Sequence, residues 1–400
     1  MQISSNRKRA NSGCVGVVYT TTGSPYIGGY RFDAQDSSPW KTKHTVSGSD
    51  IPTHTIDNTS WESSIAVSPG NNYVLYGGRT STEVSILPFN FITGFGAKVT
   101  KAPGTTGAFD NITSIRFTRD EQYIGITSWE WQSLYQWNES GSGSNVIGNK
   151  VWDSQPEDSP SGSGIPIYNF AMNFFPYSQE NRDGSEEVMV LAQGAAGSVY
   201  KQRITFVDID TGTKLNGIEV DIASNFGYLY RTPNISPLLS TTSSGTYNTI
   251  VYIGTRSLSH SEPESYGYDY GYATSDDRTS LFPAYSSSNT IEYVMFDPHG
   301  RMIVAQKDSP YLRLYSQDTS NATFSLIASH SGWSGGTINS MAYDVDQDIL
   351  FVASRSAPYL TAIKMEKDGF GDQYTPSSNP GQEVIRISLA YENQWKSYNS

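Results

Sequence analysis

The sequence predicts an all-β protein built from a repeated unit of short strands, and three observations support this prediction. Residues that favour strands and turns dominate the chain, which has 13% aromatic residues and 36 glycines among 400 residues. Four segments repeat one pattern of strand, turn and strand. The two chain ends resemble complementary halves of one more unit. Together these features indicate a closed ring of similar sheets.

The four repeated segments align without a gap over 17 positions. Each begins with alternating apolar and polar residues and ends in a nearly continuous apolar run, which is typical of a strand buried on both faces. The turn between the two halves is rich in Pro, Gly, Asn and Asp, which tolerate turn dihedral angles. The segments are ESSIAVSPGNNYVLYGG from Glu62, ITSIRFTRDEQYIGITS from Ile112, IEYVMFDPHGRMIVAQK from Ile291 and INSMAYDVDQDILFVAS from Ile338.

The spacing of these segments predicts the number of units. Their starts lie 50, 179 and 47 residues apart, so the long interval has room for two more units of about 60 residues. At the N-terminus, GVVYTTTGSPYIGGYRFD lacks a first strand, whereas residues 383–390 form a strand with no partner after it. A C-terminal strand that completes an N-terminal blade closes the ring of a β-propeller. We therefore expect a seven-bladed β-propeller with four-stranded blades, closed by the C-terminal strand 383–390.

The predicted organisation is a single domain with short extensions. Residues 1–12 form an N-terminal extension, residues 13–392 the propeller and residues 393–400 a C-terminal tail. The segment 153–164, DSQPEDSPSGSG, is expected to be a flexible connector because nothing in it can pack. The predicted blades cover about residues 13–50 plus 383–392, 60–103, 110–152, 165–222, 232–288, 289–330 and 336–376.

Charge and hydropathy exclude several classes of partner. A formal net charge of -12 repels phosphate backbones, and the only basic cluster is Arg7-Lys8-Arg9, so nucleic acid is not an expected partner. No run of about 18 apolar residues occurs, and no apolar segment follows the basic residues near the N-terminus, so we expect neither membrane insertion nor a signal peptide. With Cys14 alone, no intramolecular disulfide can form, and a buried, unreactive cysteine is expected.

A tetrapeptide recurs at one place in three units. Ser24–Ile27 (SPYI) returns as Ser309–Leu312 (SPYL) and Ala357–Leu360 (APYL), each time after the buried second strand. The proline fixes φ at the hairpin turn, and the tyrosine that precedes Ile or Leu starts the third strand with an aromatic ring that covers the neighbouring blade. The tetrapeptide therefore predicts a hairpin and not a catalytic site.

A second repeated feature carries a family resemblance. The run SILPFNFITGFGAKVTKAPG contains Gly94-Phe95-Gly96, and a second GFG turn at Gly369–Gly371 follows the APYL strand. Together with the SPYI hairpins, this run resembles repeats of WD40-like or YVTN-like propellers encoded by tailed bacteriophages. An ordinary cytosolic WD40 scaffold remains an alternative, although its Trp-Asp dipeptide occurs only once, at Trp152-Asp153.

The resemblance implies a virion protein that is assembled in the host cytoplasm. It would be a capsid decoration or tail-associated component, present in multiple copies, that contacts other virion proteins and takes part in host attachment. On this basis we expect a structural protein that is not an enzyme and has no cofactor. The alternatives are a glycan-binding adhesion propeller and a polysaccharide-degrading enzyme, which needs two carboxylates about 5 to 10 Å apart in the central funnel.

Aromatic side chains are the main candidates for binding a partner protein or a host glycan. In the tract SYGYDYGYATSDDR, four tyrosines alternate with Gly and Asp, so an extended segment would place four rings on one face. Tyrosine gives a large contact area at a low entropy cost. An insertion folded against its own blade explains the tract equally well. The predicted contact residues are Tyr266, Tyr268, Tyr270, Tyr272, Trp129 and Trp131.

Metal and catalytic signals are weak, and we predict neither a metal ion nor catalytic residues. The five histidines form no pair with zinc-binding spacing. Asp344, Asp346 and Asp348 alternate across a predicted hairpin and are calcium candidates, but the segment lacks the central glycine and the downstream glutamate of a complete calcium loop. Asp208 and Asp210 fit an ordinary connection between two strands.

Overall fold

The computed structural model contains strands of 2 to 13 residues and one 3-10 helix at Gly143–Val146 among the residues it describes. Nothing is said below of residues outside that set, which include the predicted extension 1–12, the tail 393–400, Tyr270 and most of the predicted connector. The described residues are 14–23, 25–46, 64–77, 83–90, 93–101, 112–118, 120–154, 167–176, 187–195, 201–221, 234–242, 245–257, 260–269, 272–273 and 291–391.

The strands group into sheets in chain order. The first strands are β1 (Cys14–Thr21), β2 (Ile27–Asp33) and β3 (Trp40–Thr45). The next sheet holds β4 (Ser64–Val67), β5 (Tyr73–Gly77), β6 (Val84–Asn90), β7 (Gly94–Phe95) and β8 (Val99–Lys101). It is followed by β9 (Ile112–Phe117), β10 (Tyr123–Ser128), β11 (Gln132–Trp137) and β12 (Ile147–Ser154), and then by β13 (Ile167–Pro176), β14 (Glu187–Ala195), β15 (Lys201–Asp208) and β16 (Lys214–Asp221).

The second half of the chain repeats this arrangement. It contains β17 (Asn234–Thr242), β18 (Gly245–Ser257), β19 (His260–Asp269) and β20 (Tyr272–Ala273), then β21 (Ile291–Phe296), β22 (Met302–Gln306), β23 (Leu312–Asp318) and β24 (Thr323–His330). The remaining strands are β25 (Ile338–Asp344), β26 (Ile349–Ser354), β27 (Leu360–Glu366), β28 (Gly369–Tyr374) and β29 (Val384–Tyr391).

These sheets are the blades of a β-propeller. Each is an antiparallel meander with one end strand at the centre of the ring, and these inner strands are β29, β4, β9, β13, β17, β21 and β25. Inner strands of successive sheets contact each other, except that the sheets β13–β16 and β17–β20 meet through β16 and β20. The final strand, β29, pairs with β1 from Val15↔Tyr391 to Thr20↔Arg386, which confirms that a C-terminal strand completes the N-terminal blade.

The expectation of seven four-stranded blades is wrong. Among the described residues, six sheets have four strands, and the sheet that contains β4 to β8 has five. Both β7 and β8 pair with β6, so the outer strand of this sheet is divided into two pieces. Pro88 in β6 explains the division. In an extended residue the N–H and the C=O point to the same edge of the strand, here the edge that faces β7 and β8. Proline has no N–H, so one hydrogen bond of a continuous outer strand cannot form at this position. The Pro88 carbonyl is the one backbone group of this residue that can form a hydrogen bond, and it accepts one from the Gly96 amide at 2.8 Å.

The repeated tetrapeptide lies where the sequence predicts. Ile27, Leu312 and Leu360 each begin the third strand of their sheet, and all three are fully buried. In each copy the carbonyl of the preceding tyrosine accepts a hydrogen bond from the amide at the end of the second strand: Tyr26 from Thr21 at 3.0 Å, Tyr311 from Gln306 at 2.8 Å and Tyr359 from Ser354 at 2.9 Å. These tyrosines are partly buried and pack against the apolar residues between blades. The interpretation as a hairpin is therefore confirmed.

The turn between the first and second strands of a sheet begins with a buried polar residue. Ser68, Thr118, Asp297 and Asp344 occupy the same position of the four repeated segments, and each is at most 2% exposed. Their side chains bind the turn itself: Asp297 Oδ1, for example, accepts from the amides of His299 and Arg301 at 2.9 Å. Buried polar groups need such partners, so these residues shape the turn and are not free for chemistry.

The apolar core consists of clusters sandwiched between neighbouring blades. One cluster joins the sheet of β1–β3 and β29 to that of β25–β28, and it contains Phe32 and Phe351 with ring centroids 5.0 Å apart. A similar cluster joins the sheets β9–β12 and β13–β16. Cys14 is only 5% exposed, as predicted, and burial raises the pKa of its thiol. Within the described part of the chain, no helix has the length and apolar character needed to cross a membrane.

Candidate functional site

A surface cleft on the sheet β9–β12, which we call the amide groove, is one candidate binding site. It has a volume of about 390 Å³ and lies where the start of β10, the end of β11 and the start of β12 meet. Its lining is neutral and polar, with no carboxylate, lysine, arginine or histidine. The lining residues are Gln122, Tyr123, Gln136, Trp137, Asn138, Gly148 and Asn149.

One lining residue of the amide groove, Trp137, is held in place by a carboxylate that joins two blades. The indole Nε1 of Trp137 donates to Glu139 Oε2 at 2.8 Å, while Glu139 Oε1 accepts from Ser68 and Asn72 of the preceding sheet at 2.9 Å each. The ring of Phe117 packs against Trp137 edge to face, with centroids 4.9 Å apart. Trp137 is therefore rigid, and a rigid lining residue lowers the entropy cost of binding.

Amide side chains form the rim of the amide groove. Gln136 and Asn149 are exposed, and neither side chain has a hydrogen-bond partner in the described structure. An amide offers both a carbonyl acceptor and an N–H donor, which suits neighbouring hydroxyl groups. Gly148 keeps the groove open, since a Cβ at this position would lie 3.3 Å from the Cβ and the carbonyl oxygen of Gln136.

The central channel is a second candidate site. Serine hydroxyls link the inner strands that surround it. Ser64 accepts a hydrogen bond from the amide of Ile115 at 2.8 Å, and Ser388 accepts one from the amide of Val67 at 3.2 Å. Arg116 is a charged residue on one of these inner strands, β9. Its Nη1 donates only to the neighbouring Ile115 carbonyl at 3.3 Å, and its buried Nε has no hydrogen-bond partner.

Arg116 lies on β9, an inner strand of the ring, and is partly buried. Burial lowers the pKa of the Arg116 guanidinium. Arginine stays protonated in proteins even when its pKa is lowered. Among the described residues, no carboxylate forms an ion pair with Arg116.

The predicted aromatic contact residues are not brought together in one sheet. Trp129 and Trp131 lie between β10 and β11, and both are partly buried. Their carbonyls accept from Asn169 of the next blade, Trp129 from the backbone amide at 2.9 Å and Trp131 from the side chain at 3.3 Å. These contacts indicate a part in packing two blades together, and a role in binding stays a prediction.

The tyrosine tract lies in the sheet β17–β20. Tyr266 and Tyr268 lie two positions apart on β19, and Tyr272 begins β20, where it pairs with Asp269. Tyr270 lies outside the described residues, and we make no statement about the tyrosine side chains. Because the sheet β13–β16 separates this tract from the two tryptophans, the six predicted residues do not form one continuous site.

The three calcium candidates have other partners. Asp344 is fully buried, and its two oxygens accept from the Gln347 side chain at 2.7 Å and the Asp346 amide at 3.1 Å. Asp348 accepts from the hydroxyl of Tyr343 at 3.2 Å, and burial raises the pKa of that tyrosine. Within the described residues, no group of three or more His, Cys, Asp or Glu side chains converges as metal ligands.

Sequence reasoning missed both the amide groove and Arg116. The groove joins residues of three strands, and no single segment of sequence stands out. Arg116 is recognisable in the sequence, because the other aligned segments have an apolar residue at its position. These residues are Ala66, Met295 and Ala342. A charged residue at an apolar repeat position is the pattern that would have identified it.

Comparison with known proteins identifies an architecture. No protein-family model and no curated protein matches the chain. A Bacteroides uniformis protein provisionally described as a 6-phosphogluconolactonase is similar in structure, with a TM-score of 0.60 and 13% identity over 95% of this chain and 100% of that one. The periplasmic gluconolactonase of Pseudomonas aeruginosa has a TM-score of 0.52 and 13% identity over 94% and 99% of the two chains. This likeness shows the fold alone.

The comparison corrects one expectation from the sequence. We expected a protein that is not an enzyme, and this expectation is wrong as an inference from the fold, because proteins of the same architecture are described as gluconolactonases. The β-propeller itself is confirmed. None of these similar structures is described as a bacteriophage protein, so the virion assignment depends on the repeated sequence motifs.

Proposed function

We propose that this propeller is a component of a tailed bacteriophage virion that contacts other virion proteins. The observation that carries the proposal is the triple hairpin at Ser24–Ile27, Ser309–Leu312 and Ala357–Leu360, combined with the two GFG turns, since this combination resembles the repeats of phage-encoded propellers. All three hairpins lie at the same end of their sheets.

Proteomics of intact virions tests this proposal. Particles of the phage that encodes the chain are purified by two successive density gradients, and the proteins are quantified by mass spectrometry against the major capsid protein. We expect a copy number that is a multiple of the capsid or tail symmetry. A soluble phage protein expressed at the same stage of infection serves as the control for contamination. Absence of the chain from particles that have lost this control contradicts the proposal.

Host attachment through a neutral glycan is a second candidate function, and the amide groove is the observation that favours it. The lining of the groove combines a hydrogen-bonded tryptophan with amide donors and acceptors, and it includes no charged group. Sugars present adjacent hydroxyl groups and apolar ring faces, which such a surface fits. The predicted tyrosine tract is a competing location on the same protein.

A glycan array probed with the full-length protein separates these two locations. Gln136→Ala with Asn149→Ala removes two rim amides, whereas a second variant changes Tyr266, Tyr268, Tyr270 and Tyr272 to serine. If the amide groove binds the glycan, the first variant loses most of the signal and the second retains it. Gln35→Ala, which removes an exposed amide in the sheet of β1–β3, is the matched control. Retention of full binding by the groove variant contradicts the assignment.

A further inference from the structure

The outer strands of the blades are the open edges of the propeller. An edge strand presents backbone N–H and C=O groups that no neighbouring strand binds, and natural proteins protect such edges with charged side chains. Among the described outer strands longer than two residues, all but one carry a Lys, Asp or Glu side chain. The strands protected in this way are β3, β8, β12, β16 and β28.

The exception is β24, the outer strand of the sheet β21–β24. Its sequence, TFSLIASH, contains no Lys, Arg, Asp or Glu. Leu326 is 50% exposed, which is the highest value for a large apolar side chain among the described residues, and Ser325 and Ser329 beside it are exposed as well. One edge of β24 pairs with β23, and no described strand pairs with the other edge.

The regular part of this open edge is four residues long. Thr323–Leu326 pair with β23 in unbroken register, from Asp318↔Thr323 to Tyr315↔Leu326, and a β-bulge follows at Ile327. A bulge bends an edge strand away from an added strand, so a partner can pair with Thr323–Leu326 but not with the whole of β24. Pairing of so short a segment buries a small area, which predicts a weak association that depends on concentration.

We propose that two copies of this chain associate through antiparallel pairing of Thr323–Leu326 in β24. An uncharged edge best accepts a strand that also lacks charge, and β24 itself is the outer strand that meets this condition. A two-fold axis makes each copy the partner of the other, which is the commonest symmetry of soluble oligomers. Thr323 then lies opposite Leu326 of the second copy and Phe324 opposite Ser325, so no like charges face each other.

Sedimentation velocity of the full-length protein over an about hundredfold range of concentration tests this proposal. We expect a monomer at the low end and a dimer at the high end. Leu326→Lys introduces the kind of charge that protects the other outer strands, so this variant should stay monomeric over the whole range. Val151→Lys is the matched control, because Val151 is a large apolar residue on the outer strand β12 and is 39% exposed. This control should dimerise like the wild type.

Salt and hydrogen exchange distinguish this dimer from other associations. Two copies that each carry a formal net charge of -12 repel each other, and salt screens the repulsion, so added sodium chloride should strengthen a dimer held by an uncharged edge. Amides of Thr323–Leu326 should exchange more slowly at the high concentration than at the low one. Leu326→Lys should keep the circular dichroism spectrum of the wild type, since half of this side chain is exposed.

Three results would overturn the proposal. A wild type that stays monomeric at the high concentration would leave this edge to a strand of another protein. Dimerisation of Leu326→Lys equal to that of the wild type would show that β24 is not the contact. A dimer in which Thr323–Leu326 gain no protection from exchange would place the contact on a different surface.

Discussion

One buried histidine makes the stability of the fold depend on pH. His330, at the end of β24, is 8% exposed, and its ring lies 5.2 Å from that of Phe370, centroid to centroid. Its Nε2 is buried without a hydrogen-bond partner, and loss of hydration lowers the pKa of the imidazole below its ordinary value of 6.5. The folded protein therefore holds this side chain neutral at a pH where the unfolded chain would already protonate it.

The sign of the pH effect follows from linkage. Below pH 6.5 the unfolded chain binds a proton at His330 that the folded chain does not bind, so the free energy of unfolding decreases as the pH falls towards the lower folded pKa. We expect the wild type to lose stability between pH 7.5 and pH 5.5 in urea titrations, and His330→Phe to lose measurably less. Identical losses in the two proteins would show that other groups cause the change.

At the scale of the element, hydroxyl groups of one inner strand bind the backbone of the next. Ser64 and Ser388 are at most 4% exposed, and each accepts from a backbone amide of the neighbouring blade. The inner edge of each sheet has no further strand to pair with, so these side chains satisfy amides that the ladder leaves free. The contacts thus fix the distance and register between adjacent blades.

Removal of these hydroxyls should be costly. Ser64→Ala and Ser388→Ala each leave a buried amide without its acceptor, and we expect a decrease of about 1–3 kcal/mol in the free energy of unfolding for each variant. Urea denaturation followed by tryptophan fluorescence measures this change. Ser37→Ala, at an exposed position with only a 3.5 Å contact to Asp36, is the control and should change stability little.

A glycine controls how closely two blades approach. A Cβ at Gly125 on β10 would lie 2.7 Å from the sulfur of Met172 and 2.8 Å from the ring of Phe174, both on β13 of the next sheet. Because Met172 and Phe174 are buried in a packed interface, both must shift to admit a Cβ, and Gly125→Ala should reduce the free energy of unfolding by about 1–3 kcal/mol. At Gly369 the nearest atom, Cβ of Ala328, would be 3.7 Å away, so Gly369→Ala is the matched control. Equal stability of the two variants contradicts this explanation.

The elements that sequence could predict are those set by local pattern. The hairpin residues Ile27, Leu312 and Leu360 each begin a strand because proline and the alternation of apolar residues act over a few positions. The divided outer strand of the sheet β4–β8 was not predicted, since it depends on which side of β6 the Pro88 carbonyl faces. The same reason applies to the amide groove, whose lining residues come from three different strands and the turns beside them.

At the scale of the whole molecule, one strand closes the ring. Val384, Ile385, Leu389 and Ala390 of β29 are at most 5% exposed and contribute to the clusters on both sides of their sheet. Deletion of residues 384–400 should therefore lower the free energy of unfolding by several kcal/mol, because burial of each large aliphatic side chain contributes about 1.5–3 kcal/mol. Calorimetry should show a lower transition temperature and a broader unfolding transition for this deletion than for the full chain.

Deletion of residues 392–400 is the matched control for ring closure. It leaves all of β29 in place, since this strand ends at Tyr391, and we expect a transition temperature close to that of the full chain. A similar loss of stability in both deletions would show that the effect comes from shortening the chain and not from opening the ring.

The pairing of β29 with β1 also sets an order of events during translation. The ribosome makes β1 early, but the strand that covers its inner edge begins only at residue 384. Throughout synthesis of the intervening chain, the first blade keeps an unpaired edge and the channel keeps a lateral opening. The ring can therefore close only after residues 384–391 have been synthesised.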